Sequence, residues 1–165
     1  IGEGVQSLRK WLLSRQGNFR FGDREVQLLI SGMEEKVYEL KLLDQPRFYR
    51  IMDYQALNQE NYQRWLKAPD LKARIDILEN CLAGHILRFA TGLEWQIPGK
   101  FDLSLMHLRG SRPVKVHDVE RMAFNLVFKT NLQLPPAIAL GRAVSHGFGV
   151  MMPTRWQEQE TTEET

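Results

Sequence analysis

Three glycines and three polar side chains lie close together near the end of this 165-residue chain. They are Gly141, Gly147 and Gly149, together with Arg142, Ser145 and His146. Glycine lets backbone N–H groups approach an anion closely, and the three side chains can donate hydrogen bonds to phosphate oxygens. The segment therefore predicts an anion-binding loop, with an ordinary tight helix-to-strand turn as the alternative.

The spacing of this segment argues against two common nucleotide-binding loops. No Gly-Lys-Ser or Gly-Lys-Thr follows it, as a Walker loop requires, and Gly147 with Gly149 does not complete the glycine pattern of dinucleotide sites. His146 is the histidine inside the predicted loop. We interpret it first as a phosphate contact, with a solvated turn residue or a catalytic acid or base as the alternatives.

Basic side chains also surround a second predicted loop. They are Arg109, Arg112, Lys115 and Arg121. Their clustering suggests contacts with phosphate groups, although a solvated basic loop has the same composition.

Lys129 lies on the polar side of a predicted strand, which is either solvated or turned toward RNA. The aromatic residues Phe124 and Phe128 share the opposite, apolar side. Base stacking of the kind used by RNA-recognition motifs is therefore not indicated.

His85 and the single cysteine, Cys81, lie one turn apart on a long predicted helix. A buried, hydrogen-bonded histidine is the main interpretation, because His85 falls on the apolar stripe of that helix. A shared metal ion would need a third ligand, and none is nearby in the sequence. We therefore expect no metal and no cofactor.

The net charge of +2 hides an uneven distribution. Residues 156–165 contain four Glu and no basic residue, which predicts a disordered acidic tail. Residues 1–155 therefore hold 22 basic against 16 acidic residues, a composition compatible with RNA. One cysteine rules out an intramolecular disulfide, and no apolar run is long enough to span a bilayer, so we expect a cytoplasmic protein with no membrane partner.

The order of predicted elements indicates an α+β protein. The first 45 residues contain a helix, Val5–Arg15, and strands at Phe19–Gly22, Glu25–Ile30 and Lys36–Leu43. The next elements are a strand at Arg47–Leu57, helices over Gln59–Lys67 and Leu71–Leu93, strands at Phe101–Leu108 and Met122–Thr130 around a loop at Gly110–Pro113, a short helix from Pro135 to Gly141, and a final strand from Val150.

This order predicts one complete βαββαβ unit of the ferredoxin-like type over residues 46–155. Residues 1–45 would then be a partial first unit that lacks its opening strand and its second helix. We expect the missing strand to precede Ile1, so that the chain would be a portion of a longer protein.

Several segments together resemble a known family. They are Tyr54–Tyr62, Leu78–Leu87, Phe89–Gly92, Phe128–Asn131 and Ile138–Gly149. These segments are similar to the CRISPR-associated repeat-processing endoribonucleases, the Cas-six family of the RAMP superfamily. The glycine-rich segment before the last strand is the diagnostic element, and His146 departs from the leucine expected there.

The resemblance implies two ferredoxin-like units that bind the repeat segment of precursor CRISPR RNA and cleave it without a metal. The ribose 2′-OH would attack the adjacent phosphorus and leave a 2′,3′-cyclic phosphate, a reaction that needs a base, an acid and positive charge. The residues expected to contact RNA are Gly141, Arg142, Ser145, His146, Gly147 and Gly149 by resemblance, with Arg112, Lys115 and Lys129 from the basic clusters.

The resemblance places the family's catalytic histidine early in the first unit, whereas no histidine precedes His85 here. We therefore expect a chain that contributes RNA binding, with its catalytic residues unassigned apart from the candidate His146. The alternatives are a non-catalytic RNA-binding domain of a larger CRISPR protein, such as a fusion to a reverse transcriptase and integrase, or a ferredoxin-like domain that binds a small ligand or another subunit. Other CRISPR effector or adaptation proteins and a second copy of the chain remain open as partners.

Overall fold

The computed structural model describes residues 3–14, 17–28, 31–32, 34–116 and 118–155. The chain forms two compact units, Ile1–Val37 and Tyr38–Thr165. The division falls before residues 38–45, which the order of predicted elements assigns to the first unit. The predicted acidic tail over residues 156–165 lies outside the described residues.

The first unit contains a helix and a two-stranded hairpin. Helix α1 spans Glu3–Ser14, and strands β1 (Gly17–Phe21) and β2 (Arg24–Leu28) pair antiparallel. Gly22 in the two-residue turn has a φ of +60°, a conformation that favours glycine in such tight hairpins. The predicted helix and first two strands are confirmed, with ends that differ by about two residues.

The second unit follows the predicted βαββαβ order, with a 3₁₀ turn in place of the second helix. Its elements are β3 (Lys41–Tyr54), α2 (Gln59–Leu66), α3 (Leu71–Gly92), β4 (Leu103–Val116), β5 (Val119–Gln133), a 3₁₀ turn at Val144–His146 and β6 (Val150–Pro153). The sheet order is β4-β5-β3-β6, and every neighbouring pair is antiparallel. This arrangement confirms the ferredoxin-like α+β fold class.

Both helices of this unit begin where the sequence predicts. The side chains of Asn58 and Asp70 accept hydrogen bonds from backbone N–H groups in the first turns of α2 and α3. Helix α3 buries Leu78, Leu82 and Ile86 completely, in one core with residues of β3 and β5. No helix among the described residues is both long and apolar enough to cross a membrane.

The prediction of separate strands at Lys36–Leu43 and Arg47–Leu57 is wrong. A single strand, β3, runs from Lys41 through Pro46 to Tyr54. Its pairing with β5 shifts register between Leu42 and Arg47, which places the proline in a bulge. Proline has no N–H to donate, so the bulge lets the strand continue where the ladder is interrupted.

The predicted loop at Gly110–Pro113 is wrong as well, since these residues lie within β4. They pair with Asn125 to Met122 of β5, and a register shift beside Gly110 absorbs the irregular sequence. Pro113 is tolerated because β4 is the edge of the sheet.

The short helix predicted from Pro135 to Gly141 does not form. The backbone there pairs with the residues around β6: the N–H of Ala137 donates to the carbonyl of Met151, and the N–H of Leu140 donates to that of Gly149. The second helix of the ferredoxin-like order is thus reduced to the 3₁₀ turn at Val144–His146.

Candidate functional site

The glycine-rich loop, residues 140–149, is held against the end of β3 by its own backbone. The N–H of Gly149 donates to the carbonyl of Met52, and the N–H of Arg142 donates to that of Gln55. Leu140 is buried, whereas Arg142, Ser145 and His146 are exposed. The loop therefore has a fixed base and an exposed tip that carries three of the predicted contact side chains.

Two of the glycines are required by packing rather than by an anion. A Cβ at Gly149 would overlap the carbonyl oxygen of Leu140. A Cβ at Gly141 would lie 2.8 Å from the ring of Tyr54 and 2.9 Å from the carbonyl oxygen of Gln55. Both residues also have positive φ, +97° for Gly141 and +72° for Gly149. The close contacts and the backbone conformation therefore both require glycine at these positions.

Four backbone N–H groups of the predicted anion-binding loop already donate to carbonyl groups of the protein. The N–H groups of Arg142 and Gly149 hold the base of the loop, and those of His146 and Gly147 close the 3₁₀ turn by donating to the carbonyls of Ala143 and Val144. These four donors are therefore already engaged. Any phosphate contact at these residues would rely on side chains, chiefly the Arg142 guanidinium.

A hydrogen-bonded pair lies beneath the loop. The hydroxyl oxygen of Tyr54 and Nδ1 of His85 are 2.6 Å apart, and the two rings meet edge to face. The prediction of a hydrogen-bonded histidine is confirmed, although His85 is half-buried rather than buried. Burial first, and then the positive charges of Arg88 and Arg142, lower the pKa of His85 to about 4.

His85 is expected to remain neutral in an NMR titration until the pH falls to about 4. Because its pKa is lower in the folded protein than in the unfolded chain, the contribution of His85 to stability is fully present above about pH 6.5 and is lost as the pH falls toward 4. Arg142→Ala should raise the pKa of His85, since it removes one of the neighbouring positive charges. A titration of His85 near pH 6.5 would contradict its half-buried packing against Tyr54.

Arg112 forms part of a polar network on the sheet instead of presenting an unpaired charge. Its Nε and Nη2 atoms both lie 2.9 Å from Oδ1 of Asp53. Asp53 occupies a bulge of β3 with φ +48°, and its N–H donates to Oδ1 of Asn125. The network thus stabilises the bulge that follows Met52. The carbonyl of Met52 accepts the hydrogen bond from the N–H of Gly149.

The other two predicted basic contacts lie in different places. Lys115 pairs with Asp118 at 2.9 Å at the turn between β4 and β5, and both side chains are exposed. Lys129 is half-buried on β5, where it pairs with Phe48. It is four residues from Asn125, about 13 Å along the strand, so the structure does not bring it to the glycine-rich loop.

Arg121 and Arg142, in contrast, line the same cavity. Neither guanidinium makes an ion pair within the described part of the chain. Residues at the start of α2 complete this cavity, and sequence reasoning missed them, as it missed the Tyr54–His85 pair. No local pattern could have revealed either arrangement, because the partners are tens of residues apart and meet only in the folded sheet.

Cys81 lies half-buried on α3, within hydrogen-bonding distance of the side-chain amide of Asn61. Burial raises the pKa of its thiol. In the described part of the chain, no cluster of three or more His, Cys, Asp or Glu side chains could hold a metal ion.

Comparison with known proteins adds a family match and one relative. A family model for the Cas6b C-terminal domain matches residues 41–154, from β3 to just beyond β6. The uncharacterized protein MJ0978 of Methanocaldococcus jannaschii is 30% identical over 99 residues. The match covers 60% of this chain and 66% of the relative, so the chain spans slightly less than two thirds of that protein.

Solved structures are similar in fold. A crystal structure of Cas6b superposes with a TM-score of 0.83 at 23% identity, over 93% of this chain and 70% of that one. A crystal structure of the CRISPR RNA processing endoribonuclease Cas6b has a TM-score of 0.75 at 23% identity, over 93% and 73%. The type IV crRNA endonuclease Csf5 has a TM-score of 0.59 at 15% identity, over 94% and 62%.

Proposed function

We propose that this chain, which belongs to the Cas6b C-terminal domain family, binds the repeat segment of precursor CRISPR RNA as part of a metal-independent endoribonuclease. The family match over β3 to β6 carries the proposal. A structure of similar fold is described as a CRISPR RNA processing endoribonuclease. The proposal places the chain in the cytoplasm, together with its RNA.

The glycine-rich loop is the proposed centre of RNA binding. Its tip exposes Arg142, Ser145 and His146 on a base that cannot shift easily, because Gly141 and Gly149 are packed against backbone and ring atoms. A rigid loop fixes the backbone at Arg142 before RNA arrives, so less backbone conformational entropy is lost on binding. Gly147 belongs to the contact surface as the residue that ends the 3₁₀ turn.

The remaining predicted contacts would act at the edge of this surface. Arg112 and Lys115 are each paired with a carboxylate, so an RNA phosphate would have to compete with Asp53 and Asp118, most easily at the exposed Lys115–Asp118 pair. Lys129 would contact the RNA only if the RNA extended from the glycine-rich loop across the sheet. We therefore expect Arg142 to matter more than these three residues.

Cleavage by 2′-OH attack would need a base, an acid and positive charge around one phosphate. Here the loop provides a cation in Arg142 and one histidine, His146, whose Nδ1 lies 3.2 Å from the hydroxyl of Ser145. His85 is neutral at pH 7 and bonded to Tyr54. We therefore propose that the chain by itself contributes binding, with the complete catalytic set belonging to the longer enzyme.

Fluorescence anisotropy with labelled repeat RNA in EDTA tests the proposed function. We expect salt-dependent binding, and Arg142→Ala should make the slope of log K against log salt shallower by about 0.7 to 1. Arg64→Ala on α2 is the matched control, because it removes an exposed arginine that lies near Cys81 instead of the loop.

The same samples, run on a gel, distinguish binding from cleavage. Binding without cleavage supports the proposal for this chain. Robust cleavage in EDTA that disappears in His146→Ala would overturn the binding-only role and make His146 catalytic. An absence of RNA affinity would favour a ferredoxin-like domain that binds a small ligand or another subunit.

A further inference from the structure

A cavity of about 280 Å³ opens where three distant parts of the second unit meet. The start of α2 contributes Asn58, Gln59 and Tyr62, the start of β5 contributes Glu120 and Arg121, and the glycine-rich loop contributes Arg142. The volume is near the lower end of the roughly 300–1,000 Å³ typical of small-ligand sites. A cavity of this size suits one planar ring system with its substituents.

The charges around the cavity favour a ligand with a single anionic group. Arg121 and Arg142 carry no ion-pair partner within the described residues, whereas Arg112 and Lys115 nearby in sequence are each paired with a carboxylate. The Glu120 carboxylate also lines the cavity. A bare phosphate would gain little from that carboxylate, but a ligand that has a phosphate at one end and hydrogen-bond donors at the other would use both signs.

The uncharged part of the lining has the chemistry of a nucleobase site. Tyr62 is half-buried and presents an aromatic ring, while Met122 adds a polarisable apolar contact. Gln59 is exposed, and the Asn58 side chain is fixed because its Oδ1 accepts the N–H of Asn61 at 2.7 Å. Aromatic stacking combined with amide and carboxylate hydrogen bonds is how proteins read unstacked bases of single-stranded RNA.

We propose that this cavity holds one unstacked nucleotide of the bound RNA. Its base would lie against Tyr62 with Gln59 and Glu120 at its polar edge, and its phosphate between Arg121 and Arg142. The inference rests on the proposed function, since it places one nucleotide of the same RNA beside the glycine-rich loop. It extends RNA recognition to the start of α2, which would select the base at that position.

Titration of the full chain with each of the four nucleoside 5′-monophosphates, followed by NMR, tests the cavity directly. We expect saturable shifts of the Gln59 side-chain amide and the Met122 methyl group, and no such shifts with inorganic phosphate. Gln59→Ala should weaken binding of the preferred mononucleotide about fivefold. Gln63→Ala is the matched control, because Gln63 is also an exposed glutamine on α2 and does not line the cavity.

Four results would overturn the inference. Inorganic phosphate could reproduce the mononucleotide shifts, which would reduce the cavity to an anion site, or Gln59→Ala could match Gln63→Ala. Repeat RNA could bind tightly while no mononucleotide shifts the Gln59 and Met122 signals. That result would overturn the inference about the cavity and leave the proposed function intact. Mononucleotide binding by a chain with no affinity for RNA would instead overturn the proposed function, and with it the RNA origin of the nucleotide.

Discussion

Gly149→Ala is expected to destabilise the second unit by roughly 3–5 kcal/mol, enough to prevent folding of a marginal domain. The added methyl group would overlap the carbonyl oxygen of Leu140, and the residue has a φ of +72° that disfavours alanine. The backbones of Leu140 and Gly149 cannot move apart without breaking hydrogen bonds. The N–H of Leu140 donates to the carbonyl of Gly149, and the N–H of Gly149 donates to the carbonyl of Met52.

Gly147→Ala is the control for this prediction. Gly147 has a similar φ of +84° in the same loop, but a Cβ there would meet nothing within 4 Å. Gly147→Ala should therefore lower the free energy of unfolding only by the cost of a positive φ at alanine, about 1–2 kcal/mol. Urea unfolding followed by tryptophan fluorescence compares the two, and equal midpoints would refute the packing role. RNA binding that is retained in Gly147→Ala would show that Gly147 itself is not needed for contact with RNA.

Tyr49→Phe is expected to lower the free energy of unfolding by roughly 2–4 kcal/mol, because it removes a buried hydroxyl that is hydrogen-bonded to two buried backbone groups. The Tyr49 hydroxyl donates to the carbonyl of Leu132 at 3.1 Å and accepts the N–H of Leu134 at 3.0 Å. All three residues are buried. The hydroxyl thus closes the end of β5 just before the chain turns toward the glycine-rich loop.

The comparison for this variant is Tyr38→Phe, which removes the same hydroxyl from an exposed tyrosine. That change should stay within about 0.5 kcal/mol of the parent protein. Thermal or urea unfolding measures both variants. Indistinguishable stabilities would mean that water replaces the Tyr49 hydroxyl, and the end of β5 would then be less tightly closed than the hydrogen bonds indicate.

Local patterns in the sequence were enough to place most of the helices and strands. The apolar stripe of α3, with Leu78, Leu82 and Ile86 at helical spacing, and the caps Asn58 and Asp70 depend only on residues within a few positions of each other. The order of these elements then restricted the second unit to the ferredoxin-like arrangement, because short connections allow few topologies.

Local patterns failed where a distant strand decided the conformation. Pro46 by its type predicts a strand end, yet β3 continues past it because β5 pairs with residues on both sides of the proline. The segment after Pro135 looked like a helix start, yet its backbone pairs with the residues around β6. Gly110–Pro113 looked like a loop, yet it pairs with β5 along the sheet edge.

The sequence by itself determined which residues form the glycine-rich loop, where the loop lies in the order of elements, and that the body of the chain is basic. Only the tertiary structure decided that Gly141 and Gly149 serve packing, that Arg112 and Lys115 are paired, and that Arg121 meets Arg142 across a cavity. The physical reason is that glycine spacing and charge are local properties of the chain. Which side chains are left unpaired, and which share a cavity, depends on strand register and on contacts between residues tens of positions apart.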